Sequence, residues 1–420
     1  MPTIEAPRPR RFFADLGPGL ITGAADDDPS GISTYSVAGA TFGYAPLWTA
    51  LLSFPLMVSV QLMCARLGMV TGRGLASVVR RRYSRLVLWS SCLVLVVANV
   101  INIGADLGGM ADVSHMVTGV SVFFWTPFYA VTITALLFWL SYRRIAKIFK
   151  WLTLVLFAYV ITAFLAHADW GAVLRYTFLP RVEWSSSFLS VLVGILGTTI
   201  SPYLFFWQAA QEVEEERAMG RNLAQRKGAT DEELRRQRTD VITGMFFSNL
   251  IMYFIILTTA ATLHAHGETH IDTARQAAEA LRPLAGSGAY WLFTLGIIGT
   301  GMLGVPVLVG SCAYAVSEGA AWKASLGQKP RQASKFYAVM AVAMLVGLAL
   351  NYAGLNAVRM LFYSAVVNGL LAPPLILLVI LLTCDPKVMG AHVNSPALRA
   401  FGWITFVVMA AAAVGMLVTS

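Results

Sequence analysis

Three consecutive carboxylates, Asp26, Asp27 and Asp28, stand directly before Pro29 in the stretch GAADDDPSGIS. Apolar sequence precedes them (LGPGLIT) and follows them (TYSVAGATFGY). One ionised carboxylate at the centre of a bilayer costs about 2.5–3.5 kcal/mol on insertion scales, so three in a row would not face lipid. Their chemistry suits a cation. Pro29 adds to it, because proline removes a backbone donor and pushes the preceding residue out of helical geometry. The carbonyls freed there cannot be left to lipid and must line a cavity or hold a ligand. Successive residues fan around a helix by roughly 100°, so the three aspartates need not all face one ion. Asp28, at the break, is the first candidate for direct contact. Asp26 and Asp27 are expected to meet the waters of a hydrated ion or to line its path, unless one or two of them only cap the broken helix. Asp106, in NIGADLGGMADV, is a further intramembrane carboxylate; Asp112 sits nearer the end of its segment and reads as interfacial.

A second interruption matches the first. In GILGTTISPYLFFWQ, the residues Gly194, Gly197, Thr198, Thr199, Ser201 and Pro202 break an apolar run. The two broken segments are the first and the sixth, each opening one of two possible five-segment halves. An odd number of segments per half makes the second half insert upside down relative to the first. Interrupted segments at corresponding positions of such halves point to a transporter's central site.

The elements that position these residues are membrane helices. With 57% hydrophobic and 13% charged residues among 420, the chain is far too apolar for a soluble domain. About eleven apolar runs are long enough to cross a bilayer as helices: Leu16–Phe42, Pro46–Val70, Leu86–Val113, Ser121–Tyr142, Ile148–Ala166, Phe188–Ala210, Val241–Leu263, Ala289–Ala315, Phe336–Leu350, Val358–Thr383 and Leu398–Val418. The expected organisation is an N-terminal tail (1–15), a first repeat (16–166), a second repeat (188–383) and an extra C-terminal helix (398–418). Trp48, Trp125, Trp139 and Trp184 near segment ends suit an aromatic belt.

The net charge of +9 is a topology signal, with nothing to suggest a nucleic-acid partner. Basic residues cluster in alternate loops: Arg8, Arg10 and Arg11; Arg73, Arg80, Arg81, Arg82 and Arg85; Arg143, Arg144, Lys147 and Lys150; Lys323, Lys329, Arg331 and Lys335. The other loops hold only about five basic residues. The positive-inside rule then predicts a multi-pass protein of the inner (plasma) membrane, N-terminus cytoplasmic and C-terminus external. Cys64, Cys92, Cys312 and Cys384 lack the spacing of a disulfide framework or a zinc site. The charged stretch 211–240 reads as a solvated, partly helical cytoplasmic loop. In the external loop 264–287, His264, His266 and His270 with Glu268 could attract a divalent cation, although loop histidines are common.

The stretches GPGLITGAADDDPSGI and QLMCARLGMVTGRGLA resemble the Nramp family of divalent-metal transporters, and the resemblance extends to YSAVVNGLLAPPLILLVILL in segment ten. It implies an all-α, LeuT-like fold of two inverted five-helix repeats with helices one and six broken. In that family the first helix carries Asp-Pro-Gly-Asn. Here Asp28 and Pro29 keep the first two positions, while Ser30 and Gly31 take the place of Gly-Asn, so the asparagine ligand is lost at Gly31. The carbonyl of Ala25 matches a position that offers a backbone oxygen. In helix six the family's Ala-Thr-Val-Met-Pro-His becomes Thr198-Thr199-Ile200-Ser201-Pro202-Tyr203, so a soft sulfur ligand becomes Ser201. Gln208 stands where a second histidine usually sits. The family's Asp-Leu-Ala-Glu becomes Asp106-Leu107-Gly108-Gly109, which removes a glutamate linked to proton movement.

Thioether sulfur favours softer transition metals, whereas carboxylate, hydroxyl, carbonyl and water suit Mg²⁺, Ca²⁺ and Mn²⁺. Mg²⁺ also dehydrates reluctantly and keeps several waters. The pattern is similar to the Nramp-related magnesium transporter branch. It implies import of Mg²⁺ and Mn²⁺ as partly hydrated substrate, by alternating access and without obligatory proton coupling, through a set comprising Asp28, Asp27, Asp26, Ala25, Gly31, Thr198, Ser201 and Asp106. No bound cofactor is expected, and a monomer is. The alternative is a proton-coupled Mn²⁺/Fe²⁺ importer in which Asp106 and the extra aspartates replace the lost groups. A Na⁺-driven carrier of organic solutes keeps the same fold, although three carboxylates and no base at the break disfavour an anionic substrate. An intramembrane aspartyl protease using Asp28 and Asp106 is the reading from another class. Neither stretch carries a protease pattern, so the chain is not expected to be an enzyme.

Overall fold

A computed structural model of the chain describes residues 17–140, 144, 154–222, 224–354 and 356–419. The tail 1–15, the basic residues Arg143, Lys147 and Lys150, and the start of segment five lie outside the described residues.

The described residues form helices and connections, with no strand among them. In chain order the principal helices are α1 (Pro18–Asp26), α2 (Pro29–Phe42), α3 (Trp48–Thr71), α4 (Leu75–Arg82), α5 (Arg85–Thr118), α6 (Val122–Trp139), α7 (Phe157–Leu165) and α8 (Trp170–Phe178). They continue as α9 (Ser186–Thr199), α10 (Pro202–Ala218), α11 (Asp231–Thr262), α12 (Ala289–Gly319), α13 (Ser334–Leu350), α14 (Ala357–Thr383) and α15 (Pro396–Thr419). Nine stretches within the described residues are long and apolar enough to cross a membrane, and the pair of Leu154–Leu165 and α8, bent by 119°, would be a tenth. The predicted eleven also include the first segment. Its two short halves and three carboxylates keep it from reading as an ordinary span.

The two breaks share one backbone geometry. Asp27 (ψ 54°) and Asp28 (ψ 172°) precede Pro29; Ile200 (ψ 55°) and Ser201 (ψ 128°) precede Pro202. In each case the residue before proline is extended, as its clash with the proline ring requires. Proline then takes the first helical position, where its missing N–H costs nothing. The halves that follow pack in matched ways, α2 on α11 and α10 on α3. Each thus meets the second helix of the other repeat, and α5 lies along α12. This is the pseudo-two-fold arrangement of inverted repeats.

Small residues let the broken helices approach their neighbours backbone to backbone. A Cβ on Gly23 would sit 2.3 Å from the Gly244 carbonyl oxygen, and one on Gly244 would sit 2.2 Å from that of Gly19. α1 is therefore seated directly on the α11 backbone. All four cysteines are free, three of them buried.

The stretch 211–240 is helical at both ends and exposed over most of its described middle, with buried carboxylates near each end. Its beginning continues α10, with Glu212 and Glu216 buried, and its end opens α11. Thr230 caps α11 in a reciprocal capping box with Glu233. Asp240 is also buried and accepts from the backbone N–H groups of Gly17 (2.9 Å), Gly19 (2.6 Å) and Leu20 (3.2 Å). Those are first-turn donors of α1 that its own helix cannot satisfy. A carboxylate that looked like loop solvation in fact holds the entrance of α1.

Candidate metal site

Asp28 ends the first break as the N-cap of α2, and it is at most 3% exposed, as are Asp26, Asp27 and Asp106. Its Oδ1 accepts from the Gly31 backbone N–H (2.8 Å) and the Ser30 hydroxyl (2.7 Å). Its Oδ2 accepts from Asn102 Nδ2 (2.8 Å) on α5 and, at 3.4 Å, faces the Tyr203 hydroxyl on α10. The same hydroxyl lies 3.2 Å from the Ala25 carbonyl oxygen. One phenolic proton cannot serve both acceptors fully. Two oxygens, one of them charged, thus converge on a single weak donor at the helix break. A cation there would satisfy both.

Asp106 follows Asn102 by one helical turn on α5, which places the two on the same face. It is fully buried, and neither of its oxygens has a hydrogen bond of good geometry. It lies close enough to Asp28 for mutual repulsion, with the Ser30 backbone N–H as the donor nearby. Charge repulsion between buried carboxylates is relieved by a cation or a proton.

The remaining predicted residues point elsewhere in this conformation. Asp26 Oδ2 and Asp27 Oδ1 both face the Ser248 hydroxyl on α11, at 2.6 and 3.3 Å, and Asp26 Oδ1 has no partner. Thr198 donates towards Tyr35 (3.0 Å) and the Ile195 carbonyl (2.9 Å). Ser201 turns back on its own preceding half-helix, towards the carbonyls of Gly197 (2.9 Å) and Thr198 (2.5 Å). Carbonyls expected to be free for a ligand at the second break are therefore met by Ser201. Gly31 contributes its N–H to Asp28.

Among the described residues, no three His, Cys, Asp or Glu side chains come together to hold a metal. The aspartates fan apart, as a helix requires. Two of the loop histidines close helix ends: His264 Nδ1 lies 2.8 Å from the Ala40 carbonyl and His266 Nδ1 2.5 Å from that of Thr262.

Several residues at the break were not singled out from sequence. Asn102 carried a readable signal, since it stands one helical turn before Asp106. Tyr203 is visible after Pro202, at the position of the family's histidine, but its reach to Asp28 is not, and Ser248 and Tyr35 are common residue types that only the tertiary fold brings to the break. Gly304 of α12 is another; a Cβ there would meet Asp28 Cβ at 2.9 Å. A polar chain continues from the break along α10. Thr22 donates to Gln208 Oε1 (2.6 Å), and Gln208 donates to the buried Glu212 (2.8 Å).

The family model described as natural resistance-associated macrophage protein-like matches residues 19–419. A divalent metal cation transporter MntH of Brucella suis is 27% identical over 96% of this chain and 86% of its own length. That of Deinococcus radiodurans is 26% identical over 96% of this chain and 89% of its own. The crystal structure of the Eremococcus coleocola manganese transporter, 19% identical, superposes with a TM-score of 0.77, covering 99% of this chain and 89% of that one. MhsT, solved with L-phenylalanine, gives a TM-score of 0.64 at 12% identity, covering 96% and 97%. The fold is thus the LeuT-like inverted repeat. With the family model spanning nearly the whole chain, this protein belongs to the Nramp family.

Proposed function

We propose that the protein carries divalent metal cations across the plasma membrane, and that Mg²⁺, with Mn²⁺, is its substrate. The observation that carries the reading is the convergence of Asp28 Oδ2 and the Ala25 carbonyl on one tyrosine hydroxyl at the helix break. The ion enters where that hydroxyl now sits, the hydroxyl turning aside with its proton kept, with Asp28 as the charged ligand and Asp106 as the neighbouring charge. The relatives named as divalent metal cation transporters support the substrate class. The donor chemistry supports the choice of ion: carboxylate, carbonyl, hydroxyl and amide oxygens, with serine where the family has methionine, suit a hard cation.

The break is closed to solvent, with its carboxylates hydrogen-bonded or buried. A partly hydrated ion therefore needs a more open conformation on each side in turn, which is alternating access. Asp26 and Asp27, held by Ser248 in the closed state, are placed to meet the ion's waters when α1 and α11 separate. The clustering of basic residues in alternate loops supports a cytoplasmic N-terminus. Each charge gains about 2.3 kcal/mol per 100 mV of negative-inside potential, so a divalent cation enters without a coupled proton. The buried Asp106, near Asp28 and with no side-chain partner, supports the second reading, a proton-coupled Mn²⁺/Fe²⁺ importer in which Asp106 takes the proton.

The ion preference is tested at Ser201. Ser201→Met is expected to shift preference towards Mn²⁺ over Mg²⁺ by roughly tenfold, as the thioether restores a soft ligand. It is also expected to lower stability by about 1 kcal/mol, because the Gly197 and Thr198 carbonyls lose their donor. Competition of Mg²⁺ against Mn²⁺ uptake reads the first effect and thermal melting the second. Unchanged competition in a variant that melts lower would remove Ser201 from the selectivity argument.

A further inference from the structure

Away from the helix break, a cavity of about 500 Å³ opens where three loops of the basic face meet. Arg73, Arg81, Arg82, Lys227, Lys387 and His392 line it, and no carboxylate lines it among the described residues. These residues come from the α3–α4 turn, the end of α4, the α10–α11 connection and the α14–α15 connection. α4 is amphipathic: Leu75, Ala76, Val78 and Val79 are buried, while its last turn carries Arg80, Arg81 and Arg82.

The walls are pinned rather than assembled by chance. The Gly228 backbone N–H donates to the Val70 carbonyl (2.8 Å). Arg66 donates to the His392 carbonyl (2.8 Å), and Arg82 is bound to Asp385 at 2.5 Å. Asp385, at the rim, is already committed to Arg82 and to the Lys387 backbone N–H (2.9 Å). Among the described residues, Arg73, Arg81 and Lys227 make no ion pair. Burial, and then the neighbouring Arg81, Arg80 and Arg226, hold the Arg73 guanidinium below its ordinary value. Like charges held this close favour a bound anion.

Depth identifies which anion. Val70 and Thr71 close the membrane-crossing α3, and Lys387 follows the end of α14 at Thr383 by four residues. The cavity thus lies at the level of lipid headgroups, where basic pockets between transmembrane helices take anionic lipid. We propose that it binds the phosphate of an anionic phospholipid, tying the α3–α4, α10–α11 and α14–α15 connections to the membrane surface. The inference does not depend on which cation the protein carries.

The test uses the purified full chain in detergent, with lipid retention read by native mass spectrometry. Phosphatidylglycerol and phosphatidylcholine are offered in turn, with inorganic phosphate as a competitor. Phosphatidylglycerol is expected to be retained in preference to phosphatidylcholine. Arg81→Gln and Lys387→Gln, both exposed and outside the helix core, are each expected to weaken its retention about fivefold, with thermal melting in phosphatidylcholine unchanged. Equal retention of the two lipids would overturn the proposal, as would phosphatidylglycerol retention unaltered in both variants. If inorganic phosphate displaces the lipid and stabilises the wild type alone, the site takes free phosphate and the lipid assignment fails.

Discussion

Asp28→Asn is expected to fold as the parent does and to lose divalent-cation uptake by at least about a hundredfold. Asparagine caps helices as well as aspartate does, so its side-chain oxygen can keep the Gly31 N–H and the start of α2. What it removes is the charge beside the Ala25 carbonyl. Two unit charges 4 Å apart interact by about 4 kcal/mol at the effective dielectric of a protein site, and a divalent ion in direct contact loses no less. A tenfold loss corresponds to about 1.4 kcal/mol, so the hundredfold figure is a lower bound. Asp28→Ala loses the cap as well and is expected to be less stable by about 1 kcal/mol. Uptake and thermal melting of the two variants separate the roles. If Asp28→Asn transports normally, the carboxylate serves only as a cap.

Gly244→Ala is expected to destabilise the protein severely. Within a helix this change ordinarily stabilises by about 1 kcal/mol. Here the added methyl would lie 2.2 Å from the Gly19 carbonyl oxygen and 2.9 Å from Leu20 Cα. Backbone cannot rotate aside as a side chain does, so α1 would have to lift from α11. That shift breaks the three N–H bonds to Asp240 and moves Asp26 and Asp27 off Ser248. Overpacking of well-packed interiors costs about 1–3 kcal/mol, and the additional lost hydrogen bonds put this substitution at or above that range. Gly296→Ala in α12 is the control, because its Cβ would meet nothing closer than Leu156 Cδ2 at 3.4 Å. Melting temperatures of the two variants should move in opposite directions, or the control not at all. A Gly244→Ala variant as stable as the parent would mean that α1 is not seated as described.

Much of the fold is written in the chain because hydropathy and proline act locally. Pro29 and Pro202 mark the breaks whatever surrounds them, and most of the apolar runs match helices to within a few residues. The direction of each side chain at a break is a different matter. Asp27 and Asp28 are adjacent in sequence, yet one faces Ser248 and the other Asn102 and Tyr203. The turn between them is set by two dihedral angles that composition does not encode. Within the stretch 211–240, Asp240 misleads for a related reason. Charge density predicts solvation only while each charge lacks a buried partner, and Asp240 has three N–H groups of α1 as partners. Ser201 looked like a ligand by type and position, but its hydroxyl first answers the carbonyls that its own proline exposes. Gly304 could not be found by residue chemistry at all, since its contribution is the absence of a Cβ against Asp28.

The most direct measurement is cation uptake into proteoliposomes at a fixed negative-inside potential, comparing Mg²⁺ with Mn²⁺ while an internal dye reports pH. The expected result is Mg²⁺ entry that follows the potential, with no acidification. Mn²⁺ entry accompanied by acidification, with Mg²⁺ excluded, would contradict it. The helix break would then be a proton-coupled transition-metal site with Asp106 as the proton carrier.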